Sequence, residues 1–387
     1  MKILIGADLV PTKSNIEFFA SGDAKTLLGE ELNSILRNAD YRIFNLEVPL
    51  TDQEQPIPKC GPNLIAPIRC VEGYKAMHVD LLTLANNHIL DHDQQGLEST
   101  CKVLDAAGIG YTGVGKTPEE AAKPYIFECD GKRIGVYACA EHEFSIVTEH
   151  SAGANPIDLL ESPDHVAALK AQSDFVIVLY HGGKEHYRYP SPNLQKVCHK
   201  LVEKGADLVV CQHSHCIGCE EKYLDGTIVY GQGNFLFDDS ESEVWQTSLL
   251  VQIGDGFEIS YISLKKNGNG VRLASGAEAD EILSAFYERS AQIQKTGFIQ
   301  KQYIQFADRN SHTYLIVLCG MRNKVFFRIV NKLTGYRFGR WLIKHWYKKK
   351  DLYTIQNYLQ CEAHSELLDS TLLSCIERVI YNCSDTE

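Results

Sequence analysis

The chain has 387 residues, 44% hydrophobic and 23% charged, which excludes a disordered or fibrous protein and suffices for one large domain with an appendage. A formal net charge of −12 excludes a general nucleic-acid binder, although residues 309–350 hold eleven Lys or Arg and no Asp or Glu. Thirteen scattered cysteines without a repeated spacing exclude a secreted disulfide framework and read as reduced thiols of a cytoplasmic protein. Met1 to Asp8 is too short an apolar stretch, too soon interrupted by an acid, for a signal segment. No apolar run reaches the roughly 20 residues of a membrane span.

Short apolar runs bounded by turn signals read as buried parallel strands. Residues 2–7 form the first and deliver Asp8. Residues 41–46 repeat the arrangement and deliver Asn45 and Glu47. Residues 79–85 end in Asn86-Asn87-His88. The spacing then predicts a helix over 93–107, with Leu97, Cys101 and Leu104 on one face and Gly108 as its stop. Further strands fit 133–138, 175–180, 208–211, 227–230, 248–253 and 258–264, and helices fit 163–172 and 192–204. The alternation predicts an α/β core built from two packed sheets or one large one. Residues 266–270 are a turn or linker, and helical patterns dominate from about Asp280. We therefore expect a domain over 1–265 and a helical, basic region over 277–387.

Ligands of open α/β sheets bind beyond the carboxyl ends of the strands. The groups at those ends are Asp8, Asn45, Glu47, Asn87, His88, His181, Glu185, His213 and His215. This mixed oxygen and imidazole set suits one or two divalent transition metals (Mn, Fe or Zn) better than Mg or Ca. Glu47 could bridge two cations, and a pair about 3.5–4 Å apart can clamp an oxyanion and activate water. His213 and His215, in the turn after a strand, could serve neighbouring metals.

Two other motifs compete. Residues 110–117 match the P-loop pattern G-x-x-x-x-G-K-[ST] in full. A P-loop follows a strand and opens a helix, whereas here a helix ends just before Gly110 and Lys123-Pro124 closes the following turn. Cys216-Ile217-Gly218-Cys219 has no second C-x-x-C to complete a structural zinc site and reads as plain thiols.

The same residues carry a family resemblance. Gly6-Ala7-Asp8, the stretch from Asn45 to Thr51, the stretch from Leu84 to Asp91, and His181-Gly182-Gly183-Lys184-Glu185 occur in order. Gly205 to Val210, His213-Ser214-His215, and Ile228 to Phe235 follow. Over about Met1 to Asp238 the chain resembles the CapA-type proteins of capsule and poly-γ-glutamate synthesis, relatives of calcineurin-like metallophosphoesterases. The resemblance implies a four-layer αββα sandwich with the metal site at one edge. It implies Asp8, Glu47 and His215 around one metal and Glu47, Asn87, His181 and His213 around the other. His88 would act as general acid or oxyanion donor and Asp91 would orient it. Glu185 would be catalytic or supporting, and Asn45 and Asn234 would face substrate. Three positions depart from the family. Val10 replaces a histidine, which thins the first metal's shell. Gly182 replaces tryptophan and Gln212 replaces glycine, and both changes fall on the pocket wall.

The resulting expectation is a metal-dependent hydrolase acting on a phosphoester or a glutamyl-type polymer in capsule or poly-γ-glutamate biosynthesis. The alternatives are a non-catalytic, polymer-binding partner of a capsule assembly machine and a metal-independent peptide epimerase. Between Arg309 and Lys350, cations interleave with Phe326, Phe327, Tyr336, Phe338, Trp341, Trp346 and Tyr347. That pattern fits helices with a solvated basic face, or docking to an anionic membrane surface at about 1 kcal/mol per basic residue.

Overall fold

The computed structural model describes residues 1–237 and 240–384; Asp238, where the family resemblance ends, and residues 385–387 of the expected helical region lie outside them. Two main sheets are present among the described residues. The first runs in the order Gly270–Leu273, Ile259–Asn267, Thr247–Ile253, Ile3–Leu9, Tyr41–Leu46, Leu81–Thr83 and Gly110–Thr112. Its last four strands are parallel and its first three antiparallel. The short strand Asn234–Leu236 pairs with the end of Ile3–Leu9 and sets Asn234 opposite Asp8. The second sheet runs Glu220–Tyr223, Gly226–Tyr230, Leu208–Gln212, Phe175–His181, Lys132–Ala140 and Tyr125–Cys129, parallel at its centre and antiparallel at both edges.

Strand alternation assigns each side chain to a layer. Ile3, Ile5, Ile43 and Leu81 of the first sheet share one core with Val136, Ile177 and Val210 of the second. Their neighbours Leu4, Phe44 and Leu82 point the other way, onto Leu27, Leu28, Leu32 and Leu36 of the helix Ala24–Arg37 and Leu97 and Leu104 of Asp93–Ala107. On the far side Tyr137, Val178 and Val209 meet Val166 and Leu169 of Ser162–Lys170 and Leu194, Cys198 and Leu201 of Pro192–Glu203. Helix, sheet, sheet, helix is the resulting order, the four-layer sandwich with sheets face to face. The helix Asp93–Ala107 ends where the sequence places its stop, with Gly108 left-handed at φ 69°.

The P-loop-like segment is no phosphate loop. Gly110–Thr112 is itself a strand paired with Leu81–Thr83, and the helix Pro118–Ala121 after it is one turn long.

The chain divides into a compact unit Met1–Tyr303 and a second from Ile304. The boundary therefore falls later than the 265–277 read from the turn signals. The helix Ala277–Ile293 is the reason. Its Phe286 is fully buried in the core between the sheets, Ser290 Oγ accepts a 2.8 Å hydrogen bond from Glu220 N, and Arg289 Nε donates to Gly218 O at 2.7 Å. The second unit consists of helices joined by short turns over its described length, and no described helix is long and apolar enough to cross a membrane.

Candidate metal centre

The parallel strands of both sheets end on the same edge, and the polar residues at those ends converge. Asp8 lies on Ile3–Leu9, Glu47 follows Tyr41–Leu46, Asn87 follows Leu81–Thr83, His181 ends Phe175–His181, and His213 follows Leu208–Gln212. All are buried. His213 and His215 sit in the turn after their strand with φ of 76° and 52°. Such backbone is disfavoured by on the order of 1 kcal/mol for a residue with a Cβ and recurs at functional sites.

His181 Nε2 is the hub. It lies 3.0 Å from Asn87 Oδ1, 3.1 Å from His213 Nδ1 and 3.3 Å from Glu47 Oε1. A second group adjoins it: Glu47, His213 and His215 offer ligand atoms all within 4.8 Å of one another, and His215 Nδ1 stands 3.5 Å from Asp8 Oδ2. Both Glu47 oxygens and Asp8 Oδ2 are buried and accept no well-formed hydrogen bond; His181 Nε2 faces Glu47 Oε1 and His215 Nδ1 faces Asp8 Oδ2. Buried carboxylate oxygens are seldom left so. Ligands at 2.0–2.1 Å from a common tetrahedral or octahedral ion stand roughly 3 Å apart, the spacing around His181. The donors present fit a divalent transition metal.

The surrounding residues orient these donors. Asn45 Nδ2 donates to Asp8 Oδ1 at 2.8 Å and lies 3.1 Å from His181 Nδ1. Asn45 Oδ1 accepts from Asn86 Nδ2 at 3.2 Å, so Asn45 is wholly engaged inside the protein and does not face substrate. Asn234 Oδ1 lies 2.8 Å from His215 Nδ1, which makes it a brace for that ring. His88 Nδ1 lies 2.6 Å from Asp91 Oδ2. Lys59 closes the group: its ammonium pairs with Asp91 Oδ1 and stands 3.2 Å from His88 Nδ1, with its side chain 1% exposed.

Glu185, expected in the site, stands exposed on a loop, 3.9 Å from Lys184 Nζ, and no hydrogen bond or ion pair ties it to the donors. The acids near the centre are others. Glu143 Oε2 accepts from Asn87 Nδ2 at 2.8 Å, and Glu141 Oε1 accepts from Gly183 N at 3.0 Å. Gly182 leaves no room for a larger side chain, because a Cβ there would lie 2.8 Å from Glu141 Cγ and from the Tyr180 ring. Gln212 is not part of the pocket wall. Its Nε2 donates to Gly6 O at 3.1 Å, tying one sheet to the other beneath the centre. The wall beside His215 is aromatic: the Trp245 ring lies tilted at 4.8 Å and Phe237 edge-on at 5.6 Å, and Trp245 Nε1 donates to His186 Nε2 at 2.9 Å. Val10 is buried and offers no donor. Cys216 and Cys219 are buried free thiols, pushed up in pKa by burial.

Two carboxylates in this setting demand positive charge. Burial pulls the His215 imidazole down, but Asp8 and then Glu47 outweigh it and raise its pKa to about 9. For His181 burial likewise opposes and Glu47 prevails, so its pKa is raised. His213 goes the other way, driven well below its usual value by burial and by the other two imidazoles. Asp8, which burial alone would raise, is held low by His215 and His181. A folded pKa above the unfolded 6.5 gives His215 a stabilising contribution fully present below pH 6.5 and lost as pH rises through about 9. The metal-free protein is therefore expected to lose on the order of 3 kcal/mol across that window, whereas metal-loaded protein holds its stability because the cation replaces the protons. Thermal melts with chelator or with Mn²⁺ check this; a metal-free melting point flat across the window contradicts it.

A family model described as bacterial capsule synthesis protein PGA_cap matches residues 3–239. Capsule biosynthesis protein CapA of Bacillus anthracis is 29% identical over 224 residues, covering 56% of this chain and 54% of that protein. PGA biosynthesis protein CapA of Bacillus subtilis (strain 168) is 26% identical over 270 residues, covering 68% of this chain and 67% of that protein. The matched regions thus span between about half and two thirds of these curated relatives. Among solved structures, a 5'-nucleotidase from Candida albicans SC5314 is 13% identical, with a TM-score of 0.43 over 80% of this chain and 57% of that one. The matched family segment covers more than half of the chain and contains every donor from Asp8 to His215, so the chain belongs to the bacterial capsule synthesis protein PGA_cap family of CapA-type proteins.

Proposed function

We propose that the chain is a metal-dependent hydrolase that cleaves a phosphoester, or an amide of a glutamyl-type polymer, in capsule or poly-γ-glutamate biosynthesis. The observation that carries this reading is the meeting of Glu47, Asn87, His181 and His213 around one point with orphaned carboxylate oxygens. These four residues would hold one cation, and Asp8, Glu47 and His215 a second. When bound, the metal supplies Lewis acidity toward an oxyanion and lowers the pKa of water.

The chain's own groups do the rest. His88, fixed through Nδ1 by Asp91, keeps Nε2 for the leaving atom and protonates it as the bond breaks. Lys59 neutralises Asp91 so that the carboxylate can stay buried beside the imidazole. Asn45 and Asn234 hold ligand rings in one orientation. Trp245 and Phe237 shield the His215 side from water.

Elemental analysis of purified protein, paired with a panel of phosphodiester and γ-glutamyl substrates, tests the proposal. We expect near-stoichiometric transition metal and hydrolysis of one class, both lost in Glu47→Ala while the fold survives. Full activity in metal-stripped Glu47→Ala protein contradicts it. The second reading, a polymer-binding partner without catalysis, is favoured by the buried Val10 where the family usually supplies a histidine. Metal-free, inactive protein that binds polyglutamate would establish that role. Peptide epimerisation that survives chelators would instead mark the metal-independent enzyme.

A further inference from the structure

The helix Val325–Leu333 turns Phe327 and Asn331 inward, whereas Val325, Ile329 and Leu333 lie one turn apart along an exposed strip 68%, 54% and 82% accessible, with Phe326 beside it at 75%. Arg328 and Lys332 run along the edge of that strip. The next helix, Arg337–Trp346, is pinned to the first where Gly339 N donates to Asn331 Oδ1 at 2.8 Å. One side of it carries Arg337, Arg340 and Lys344 around exposed Trp341, and Trp346 is exposed at its C-terminal end. A cavity of about 670 Å³ opens in the same unit, floored by Ile316 and Phe327 and edged by Arg322, Arg328 and Lys332.

We propose that this basic pair of helices docks on the surface of an anionic bilayer, with Phe326, Ile329 and Leu333 entering the headgroup boundary and Arg322, Arg328 and Lys332 engaging lipid phosphates. Three observations select this occupant. Eleven cations with no acid between Arg309 and Lys350 complement an anionic surface and repel the same face of a second copy. Four large apolar side chains exposed side by side and rimmed by cations mark an interaction site, and aliphatic side chains contribute little to binding a polyanion in solution. No described helix is long and apolar enough to span, so the contact is interfacial; exposed tryptophans beside lysine and arginine suit that depth.

Co-sedimentation of the full chain with vesicles of phosphatidylcholine, with or without phosphatidylglycerol, tests the proposal without recourse to any enzymatic activity. Binding to the anionic vesicles is expected to exceed binding to the neutral ones by at least about tenfold. Two double variants, Phe326→Ser with Ile329→Ser and Arg328→Glu with Lys332→Glu, should each weaken it by about tenfold with circular dichroism unchanged. Equal uptake by both vesicles overturns the proposal. So does undiminished binding of the Phe326/Ile329 variant, which would mean charge contact without insertion. A wild-type dimer that ignores vesicles and dissociates in that variant would assign the strip to a second copy instead.

Discussion

His181→Ala is expected to lower divalent-cation affinity by well over about 100-fold and to abolish hydrolysis, since losing a group that merely braces a ligand already costs 10–100-fold. The imidazole is the shared neighbour of Asn87, His213 and Glu47, so its removal leaves three donors around an open space rather than a shell with one weak member. It also removes the imidazole that faces buried Glu47, which would leave that carboxylate without its partner, so a lowered melting point accompanies the loss. The strand itself is held by backbone pairing to Lys132–Ala140 and Leu208–Gln212 and should persist in circular dichroism. Isothermal titration with Mn²⁺ or Zn²⁺ reads the affinity; wild-type metal content in this variant sinks the assignment. Glu185→Ala provides the contrast, because an exposed carboxylate without a tie to the donors should leave both metal and activity in place.

His88→Ala should behave differently. It offers no atom to the cluster around His181, so bound metal is retained while kcat drops by about 10²–10⁴, the usual contribution of a positioned proton donor. A general acid matters least when the leaving group needs no proton. The deficit is therefore expected to shrink on a p-nitrophenyl ester relative to an alkyl ester of the same acid. An equal deficit on both would assign His88 to oxyanion stabilisation rather than proton transfer. Asp91→Asn should show a smaller loss of the same kind, because it leaves the ring in place without the carboxylate that fixes it.

The convergence of the candidate donors was readable because a buried parallel strand announces itself as an apolar run, and a histidine, asparagine or acid just past it must lie on the binding edge. Asp8, Glu47, Asn87, His181, His213 and His215 all follow from that rule, as does the helix Asp93–Ala107 from its spacing and its glycine stop. Lys59 carries no such mark. It sits in an aperiodic loop and meets Asp91 32 residues later, an encounter set by how the loop folds back over the strand ends. Glu143 and Trp245 escape notice for the same reason, whereas Glu141 directly follows the parallel strand Lys132–Ala140 and falls under the strand-end rule.

Period and turn chemistry thus define which segments are strands, which face of each is apolar and which polar groups stand at the ends, because those are properties of a residue and its near neighbours. What an apolar face meets is a different matter, settled when the two sheets close on each other. Gln212 replaces a smaller residue in the family pattern and reads as a change in the pocket, yet it lies against Gly6, 206 residues away, between the sheets. The helix Ala277–Ile293 reads as helical like its successors, yet it belongs to the first unit because Phe286 fills a gap between sheets that no local pattern describes. Long-range packing selects among faces that are equivalent in sequence, and the centre itself exists only where that packing brings five strand ends to one edge.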